Sequence, residues 1–312
     1  MQRLTTDDRE RGAVAVVVAL LMVPLIGFAA LAIDVASMWS QQQRLQVAAD
    51  ASALAIAQDC ARQACGSPSQ TATSLTAANF GAGGTAIVTL PAGQTKVTVH
   101  TITTSQHLFA PVLGLTSREV GAATSAAWGA PSGGTTVLPI TFSWCDFKAQ
   151  TGGGLPSQTT ERIIQFTKDS GSSCTGPSNL AIPGGFGWVT PNAAGCMVAS
   201  AIAARLNSDT GNSLPNGCSA SDFVAAQNKI VLLPVFDQAY GTGSGGWYQV
   251  YGYVAFKLTG YKFQQANISW NDSGCNKNCV KGYFTQFVDL DDAFTYSATA
   301  PDLGAEIIKL TS

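Results

Sequence analysis

The sequence has few charged side chains. Asp, Glu, Lys and Arg make up 12% of its 312 residues, about half of the roughly 25% that is typical of soluble globular proteins. The 17 basic residues form no cluster, and the 19 acidic ones outnumber them. Because nucleic-acid binding requires a concentrated positive surface that displaces counterions from phosphates, this composition argues against a nucleic-acid partner.

Side chains that carry out catalysis are also scarce. The chain has 2 histidines, His100 and His107, and it has no Gly-x-Ser-x-Gly motif of the kind that holds a serine nucleophile. Its glycine-rich runs do not end in Lys-Ser or Lys-Thr, as a phosphate-binding loop does. We therefore predict that the protein is not an enzyme, with no catalytic residue, no cofactor-binding residue and no cofactor.

Cysteine is present in an even number, and no two cysteines form a Cys-x-x-Cys pair. Such a set favours disulfides in an oxidising compartment over zinc binding or thioredoxin-like redox chemistry. The candidates for disulfide formation are Cys60, Cys65, Cys145, Cys174, Cys196, Cys218, Cys275 and Cys279.

The spacing of the cysteines suggests which of them are paired. Short turn-rich segments separate Cys60 from Cys65 and Cys196 from Cys218, so we predict a disulfide within each of these pairs. That leaves the third and fourth cysteines of the chain to pair with the last two, in an order that the sequence leaves open.

A long apolar run lies near the N-terminus. No charged residue occurs from Gly12 to Ile33, and these 22 residues would form about 33 Å of helix, enough to cross a bilayer. Three arginines, at positions 3, 9 and 11, precede the run, and the next basic residue is Arg44. The positive-inside rule then predicts a cytoplasmic N-terminus over residues 1–11, a transmembrane helix over residues 12–33, and extracytoplasmic domains after it.

A cleaved signal peptide is the alternative to a retained anchor. Ala30-Leu31-Ala32 has the small-x-small form that a signal peptidase accepts. The apolar run is, however, longer than the usual signal core of about 7 to 15 residues. Helix-favouring sequence also continues without a breaker to Ala61, so we predict that the helix stays attached.

Beyond the membrane the helix is predicted to continue as an alanine-rich helix from Asp34 to Ala61. Four residues at alternating steps of four and three positions mark one face of it, and its small side chains permit close approach of another element. Two alternatives stay open: this face packs on the chain's own next domain, or it docks on a helix of a partner. The candidate helix contacts are Leu45, Ala49, Ser52 and Ile56.

The rest of the chain is mostly β in pattern, so we predict an α+β fold: a single transmembrane helix, its alanine-rich continuation, and β-rich exported domains held by disulfides. The glycine-rich stretch from Gly129 to Gly134 is interpreted as a flexible break. It divides a helix with a small β region, residues 34–134, from a β-rich disulfide-containing domain, residues 135–312. Residues 196–206 and 222–227 are predicted to be helical.

The N-terminal region resembles a known family. The resemblance is carried by Arg11-Gly12-Ala13-Val14-Ala15-Val16, Pro24, Ala29-Ala30-Leu31-Ala32-Ile33-Asp34-Val35 and Gln46-Val47-Ala48-Ala49-Asp50-Ala51-Ser52-Ala53-Leu54-Ala55. This order of charge, proline and the Ala-Ala-Asp-Ala element resembles the TadE/TadG-like family of tight-adherence (Flp) pilus assembly proteins. Residues 135–312 resemble the cysteine-containing exported tail of some members.

The sequence departs from related family members at two positions, which bear on processing of the N-terminus and on metal binding. Pilin-like members carry a glutamate five residues after a processing glycine, whereas Val17 holds that position after Gly12. Larger members carry a metal-binding Asp-x-Ser-x-Ser motif, and in the nearest match, residues 169–173, Gly171 replaces the middle serine. We therefore expect no processing after Gly12, a polar turn at residues 169–173, and no metal ligand.

The resemblance implies a membrane-anchored protein of pilus assembly, or an envelope scaffold, without catalytic activity. Its implied partners are the membrane, pilus-assembly and secretion components, and pilins. The alternative is an anchored or secreted binding or adhesion protein whose C-terminal domain recognises a surface ligand or a carbohydrate. Trp247 and the tyrosines after it could stack on such a ligand, although their alternating spacing favours packing on a sheet face.

Overall fold

A computed structural model describes residues 6–209, 213–241, 243–264, 266–290 and 292–311, with side chains from residue 14 onward except at 113 and 244. Arg3 lies outside the described residues. The helices are α1 (Thr6–Ala61), α2 (Pro68–Asn79), α3 (Trp144–Thr151), α4 (Thr167–Ser170) and α5 (Ala220–Ala226), with 3-10 turns at Ala110–Leu113 and Gly243–Gly245.

Strands make up most of the remainder of the described chain, in agreement with the predicted α+β class. They are β1 (Thr85–Thr89), β2 (Lys96–Gln106), β3 (Ser117–Thr136), β4 (Ile140–Ser143), β5 (Arg162–Gln165), β6 (Ser173–Thr175), β7 (Ala181–Pro183), β8 (Phe186–Trp188), β9 (Val198–Ala201), β10 (Arg205–Asn207), β11 (Ile230–Tyr240), β12 (Trp247–Phe263), β13 (Ile268–Trp270), β14 (Cys279–Thr285), β15 (Phe287–Asp289), β16 (Phe294–Ser297) and β17 (Ala305–Thr311).

Helix α1 runs through the apolar segment and on into the folded part of the chain. It continues past Pro24, as lipid-embedded helices can, and it contains the one helical stretch in the described residues that is long and apolar enough to cross a membrane. Large apolar side chains such as Leu20 and Val23 are exposed around it. An apolar surface on all sides is what a lipid-facing helix requires, so the chain has the form of a single-pass membrane protein.

The second half of α1 packs on a mixed sheet. This sheet has the strand order β1-β2-β3-β17-β15, and β9 and β16 pair with other parts of β3. Residues of β2 alternate between buried Val97, Val99 and Thr101 and more exposed neighbours, because successive side chains of a strand point to opposite faces. Together with α2, the helix buries Ala53, Ile56 and other small or aliphatic side chains against that inner face.

A second sheet forms the larger, aromatic core. Its strand order is β5-β14-β12-β11-β4-β8, with β10 and β13 paired to β12. Phe142, Phe256 and Phe284 are in mutual contact, with ring centroids 4.7 to 5.3 Å apart, and Trp188 packs on Phe263 at 4.8 Å. Edge-to-face and tilted contacts of this kind add to the stabilisation from burial alone.

The interpretation of residues 129–134 as a flexible break is wrong, because they lie within strand β3. The glycines there allow close packing instead. A Cβ added to Gly134 would overlap Cδ1 of Phe294, and one added to Gly129 would lie 3.0 Å from Cδ2 of Tyr296. The boundary drawn at residue 134 therefore falls inside a strand, and the C-terminal strand β17 returns to pair with β3.

The predicted helix over residues 196–206 is also wrong. That segment forms β9 and β10, which pair with β3 and β12, and Ala203 between them has a φ of 63°. Pairing to two long strands overrides the helix propensity of its alanines. The prediction for residues 222–227 is close to the observed α5.

Four disulfides connect the described cysteines. Cys60 is bonded to Cys65 and Cys196 to Cys218, as their spacing suggested. The predicted pairing of the third and fourth cysteines with the last two is wrong. In the structure Cys145 is bonded to Cys174, and Cys275 to Cys279, because β6 and β7 carry Cys174 to the end of α3 that holds Cys145.

Candidate functional site

The four candidate helix contacts lie inside the folded chain. Leu45, Ala49 and Ser52 are 0% exposed and Ile56 is 1% exposed. The Thr101 side chain donates a hydrogen bond to the Leu45 carbonyl at 2.9 Å, and Ser52 donates to the Ala72 carbonyl of α2 at 3.5 Å. This favours the first of the two alternatives, packing on the chain's own domain, and it leaves Ala49 inaccessible to a partner helix.

Asp50, in the Ala-Ala-Asp-Ala element, ties α1 to the sheet. Gln46 donates from Nε2 to Asp50 Oδ1 at 2.8 Å and is 2.7 Å from Thr124 Oγ1. Thr124 of β3 in turn donates to Asp50. The three polar side chains form one network at the flank of the small-residue face, so the element serves to fix the helix on the strand.

Asp34 is a site residue that the sequence analysis did not single out. It lies directly after the charge-free run, it is 4% exposed, and its carboxylate accepts from three successive backbone N–H groups of the loop between β2 and β3. The donors are Leu108 at 2.8 Å, Phe109 at 3.1 Å and Ala110 at 2.8 Å. Three donors on one carboxylate fix this loop against α1. The only sequence signal is an aspartate at the end of an apolar run.

A shallow groove follows Asp34 on the side of α1 towards the sheet. It is lined by Val35, Met38 and Trp39 of the helix and by Arg118 and Glu119 of β3. Trp39 is 64% exposed. An exposed tryptophan within two helical turns of a membrane segment is typical of the interface between lipid and water.

Residues 169–173, expected to form a polar turn, instead join the end of α4 to the start of β6. α4 ends at Ser170, and Gly171 caps it with a φ of 61°. Asp169 forms an ion pair with Lys277 at 3.2 Å, and Ser170 donates to the Gly184 carbonyl at 2.9 Å. Within the described part of the chain no three His, Cys, Asp or Glu side chains converge as a metal site would require.

The aromatic residues of β12 divide into packed and accessible ones. Tyr253 is buried with its hydroxyl 2.8 Å from Ser200 Oγ, and burial raises its pKa to about 12. Trp247 instead stacks on Tyr240, with ring centroids 6.0 Å apart and planes inclined at 22°. The Arg205 guanidinium lies 4.0 Å from the Trp247 ring centre, and Tyr240 is exposed. This stack is an accessible aromatic surface.

The titratable side chain of Glu306 lies near the C-terminal end of α1. It lies on β17 beside a small cavity that Cys60, Trp128 and Asp302 also line. Its Oε2 atom is buried and has no hydrogen-bond partner. Burial and the nearby charge of Asp302 raise the pKa of Glu306 from 4.5 to about 8, so the folded protein holds a proton there that the unfolded chain releases.

The stability of the protein should therefore fall as pH rises from about 4.5 to about 8, since across this window the folded state binds more protons than the unfolded state. Glu306→Gln should remove the contribution of this side chain to the pH dependence and make the variant more stable than the parent at alkaline pH. Urea unfolding of the detergent-solubilised chain at several pH values measures the difference. The exposed Glu119→Gln serves as the control, and equal pH dependence in parent and Glu306→Gln would contradict the assignment.

Comparison with known proteins finds a family match for the N-terminal segment. Residues 12–59 match the family described as putative Flp pilus-assembly TadE/G-like, which confirms the resemblance over the N-terminal helix. The matched segment covers the charge-free run and the helix face that packs on the first sheet, and it includes Asp34 and Asp50. No curated protein and no solved structure matches the chain.

Proposed function

We propose that the protein is a membrane-anchored component of Flp pilus assembly, or an envelope scaffold for it, and that it has no catalytic activity. The match of residues 12–59 carries this proposal. The matched segment is also the part of the chain that links the apolar run to the packed core. A segment that contains the apolar run and also packs in the core fits a protein that holds a folded domain at the membrane.

The proposed topology has residues 1–11 in the cytoplasm, residues 12–33 in the membrane and residues 34–312 outside. The arginines before the run support this orientation through the positive-inside rule. Four disulfides support it independently, because disulfides persist in oxidising compartments and are rare in the cytosol. The proposed partners are the pilus secretion components and the pilins.

Deletion of the gene tests the proposal. We expect surface pili, counted by electron microscopy, to disappear in the deletion strain and to return when the full-length chain is supplied. The physical reason is that an assembly component anchored beside the secretion machinery is needed before any subunit is added. Normal pili in the deletion strain would contradict the proposal.

A second candidate function is ligand binding by the C-terminal part of the chain. The stack of Arg205, Trp247 and Tyr240 favours it, since exposed aromatic faces bind apolar sugar faces and cations. The same deletion strain separates the two functions. If pili remain while attachment to surfaces falls, and Tyr240→Ala in the full-length chain reproduces that loss, the binding function replaces the assembly function.

A further inference from the structure

The loop between β2 and β3 exposes an unusual number of large apolar side chains. We call residues 107–115 the apolar loop. Leu108 is 68% exposed, Phe109 45%, Val112 91% and Leu115 61%. A contiguous apolar group of this kind on a protein surface marks a contact with another protein or with a membrane.

The apolar loop lies beside the membrane-spanning part of α1 rather than beside the rest of the domain. Phe109 and Val112 line a groove together with Pro24, Phe28 and Leu31 of that helix. Phe28 precedes Asp34 by six residues, which places it about 9 Å along the helix axis towards the membrane centre. If residues 12–33 cross a hydrocarbon layer of about 30 Å, the loop tip lies at the depth of the acyl chains.

The backbone of the apolar loop is suited to an environment without water. Leu108, Phe109 and Ala110 donate their N–H groups to Asp34, and Pro111 has no N–H. Four of the remaining donors bond to carbonyls inside the loop and at its base: His107 to Thr116, Val112 to Phe109, Gly114 to Pro111 and Leu115 to Ala110. Non-helical backbone is tolerated at membrane depth only when its polar groups are satisfied internally.

Asp34 and the apolar loop satisfy each other's hydrogen-bonding groups at the membrane boundary. A carboxylate next to the hydrocarbon is costly unless it is hydrogen-bonded, and the three loop N–H groups provide those bonds. In the direction of the domain, the groove after Asp34 holds Trp39 and Arg118. Trp and Arg are typical of the headgroup region. The order from the apolar tip through Asp34 to Trp39 therefore follows the polarity profile of one leaflet.

We infer that the apolar loop is a second membrane contact, whose tip inserts among the lipid acyl chains beside α1 and holds the folded domain against the bilayer. The inference rests on the proposed membrane span of α1. A lipid occupant is favoured over a protein because the loop surface continues without a polar boundary into the helix surface that faces lipid. The groove between them is lined by apolar residues alone.

Photo-crosslinking of the full-length chain tests the inference. A benzophenone amino acid replaces Val112, and the protein is reconstituted into vesicles of phosphatidylethanolamine and phosphatidylglycerol. After illumination, mass spectrometry measures the yield of lipid adduct. We expect a yield about tenfold above that of the same probe at Val224, an exposed position on α5, because only the Val112 probe would reach the hydrocarbon.

A probe at Leu20, in the middle of the apolar run, separates failure of the inference from failure of the membrane span. Adducts at Leu20 and Val112 but not at Val224 support the inference. Adducts at Leu20 alone overturn it while α1 still spans the bilayer, and absence at both positions overturns the proposed topology as well. In native membranes, a Val112 adduct to a protein chain instead of lipid would also overturn it. Val112 is too exposed for the probe to prevent folding.

Discussion

Replacing Cys145 and Cys174 together by alanine is expected to lower the free energy of unfolding by about 3 to 4 kcal/mol. The disulfide closes a chain segment with a sequence separation of 29 and joins Cα atoms 5.6 Å apart. That segment contains the glycine-rich residues 152–154 and only short elements, so its unfolded ensemble gains much freedom when the bond is absent. Urea unfolding followed by tryptophan fluorescence, without reductant, measures the change.

The Cys275–Cys279 disulfide provides the matched control. It has a sequence separation of 4, and the same chain-entropy relation gives a loss of only about 2 kcal/mol when both of its cysteines become alanine. Equal losses for the two double variants would contradict the argument from loop length. Peptide mapping that joins Cys145 to either C-terminal cysteine would contradict the pairing itself.

Ala49→Leu is expected to lower the free energy of unfolding by about 1 to 3 kcal/mol, since extra side-chain volume in a packed core forces neighbouring groups to move. Ala49 is fully buried on the face of α1 that packs on β2, β3 and α2. Leucine has a helix propensity close to that of alanine, so the loss comes from packing. Urea unfolding and the cellular level of the protein should both report it.

Ala36→Leu makes the same change on an exposed position of the same helix and should leave stability nearly unchanged. If Ala49→Leu instead lowers pilus number while the protein keeps its level and its unfolding midpoint, the small-residue face contacts a partner. The buried arrangement would then describe only one state of the protein.

The parts of the fold that depend on neighbouring residues could be predicted from the sequence. The long helix follows from an uninterrupted helix-favouring stretch, and the strand alternation around Val97 and Val99 follows from period-two patterning. The Cys60–Cys65 bond spans one turn. In each of these cases the residues that interact lie within a few positions of one another.

Most of the features that were missed depend on residues far apart in the chain; the Cys275–Cys279 bond, with a sequence separation of 4, is an exception. Glycines at 129–134 look flexible until Phe294 and Tyr296 of β16 pack against them. The partner of Cys145 depends on where β6 is placed. The occupant of the Ala49 face could not be decided locally, since β2 begins more than forty residues later. The role of Asp34 likewise appears only when residues 108–110 fold back on it.

Because α1 is unbroken, the rotation of the anchor about the helix axis also sets the rotation of the folded domain. One residue added to a helix turns everything beyond it by about 100° and shifts it by about 1.5 Å. Because the same helix crosses the membrane segment and lies in the core beside β3, the domain cannot swivel independently of its anchor. The azimuth of the helix in the bilayer thus decides which side of the domain a neighbouring membrane protein meets.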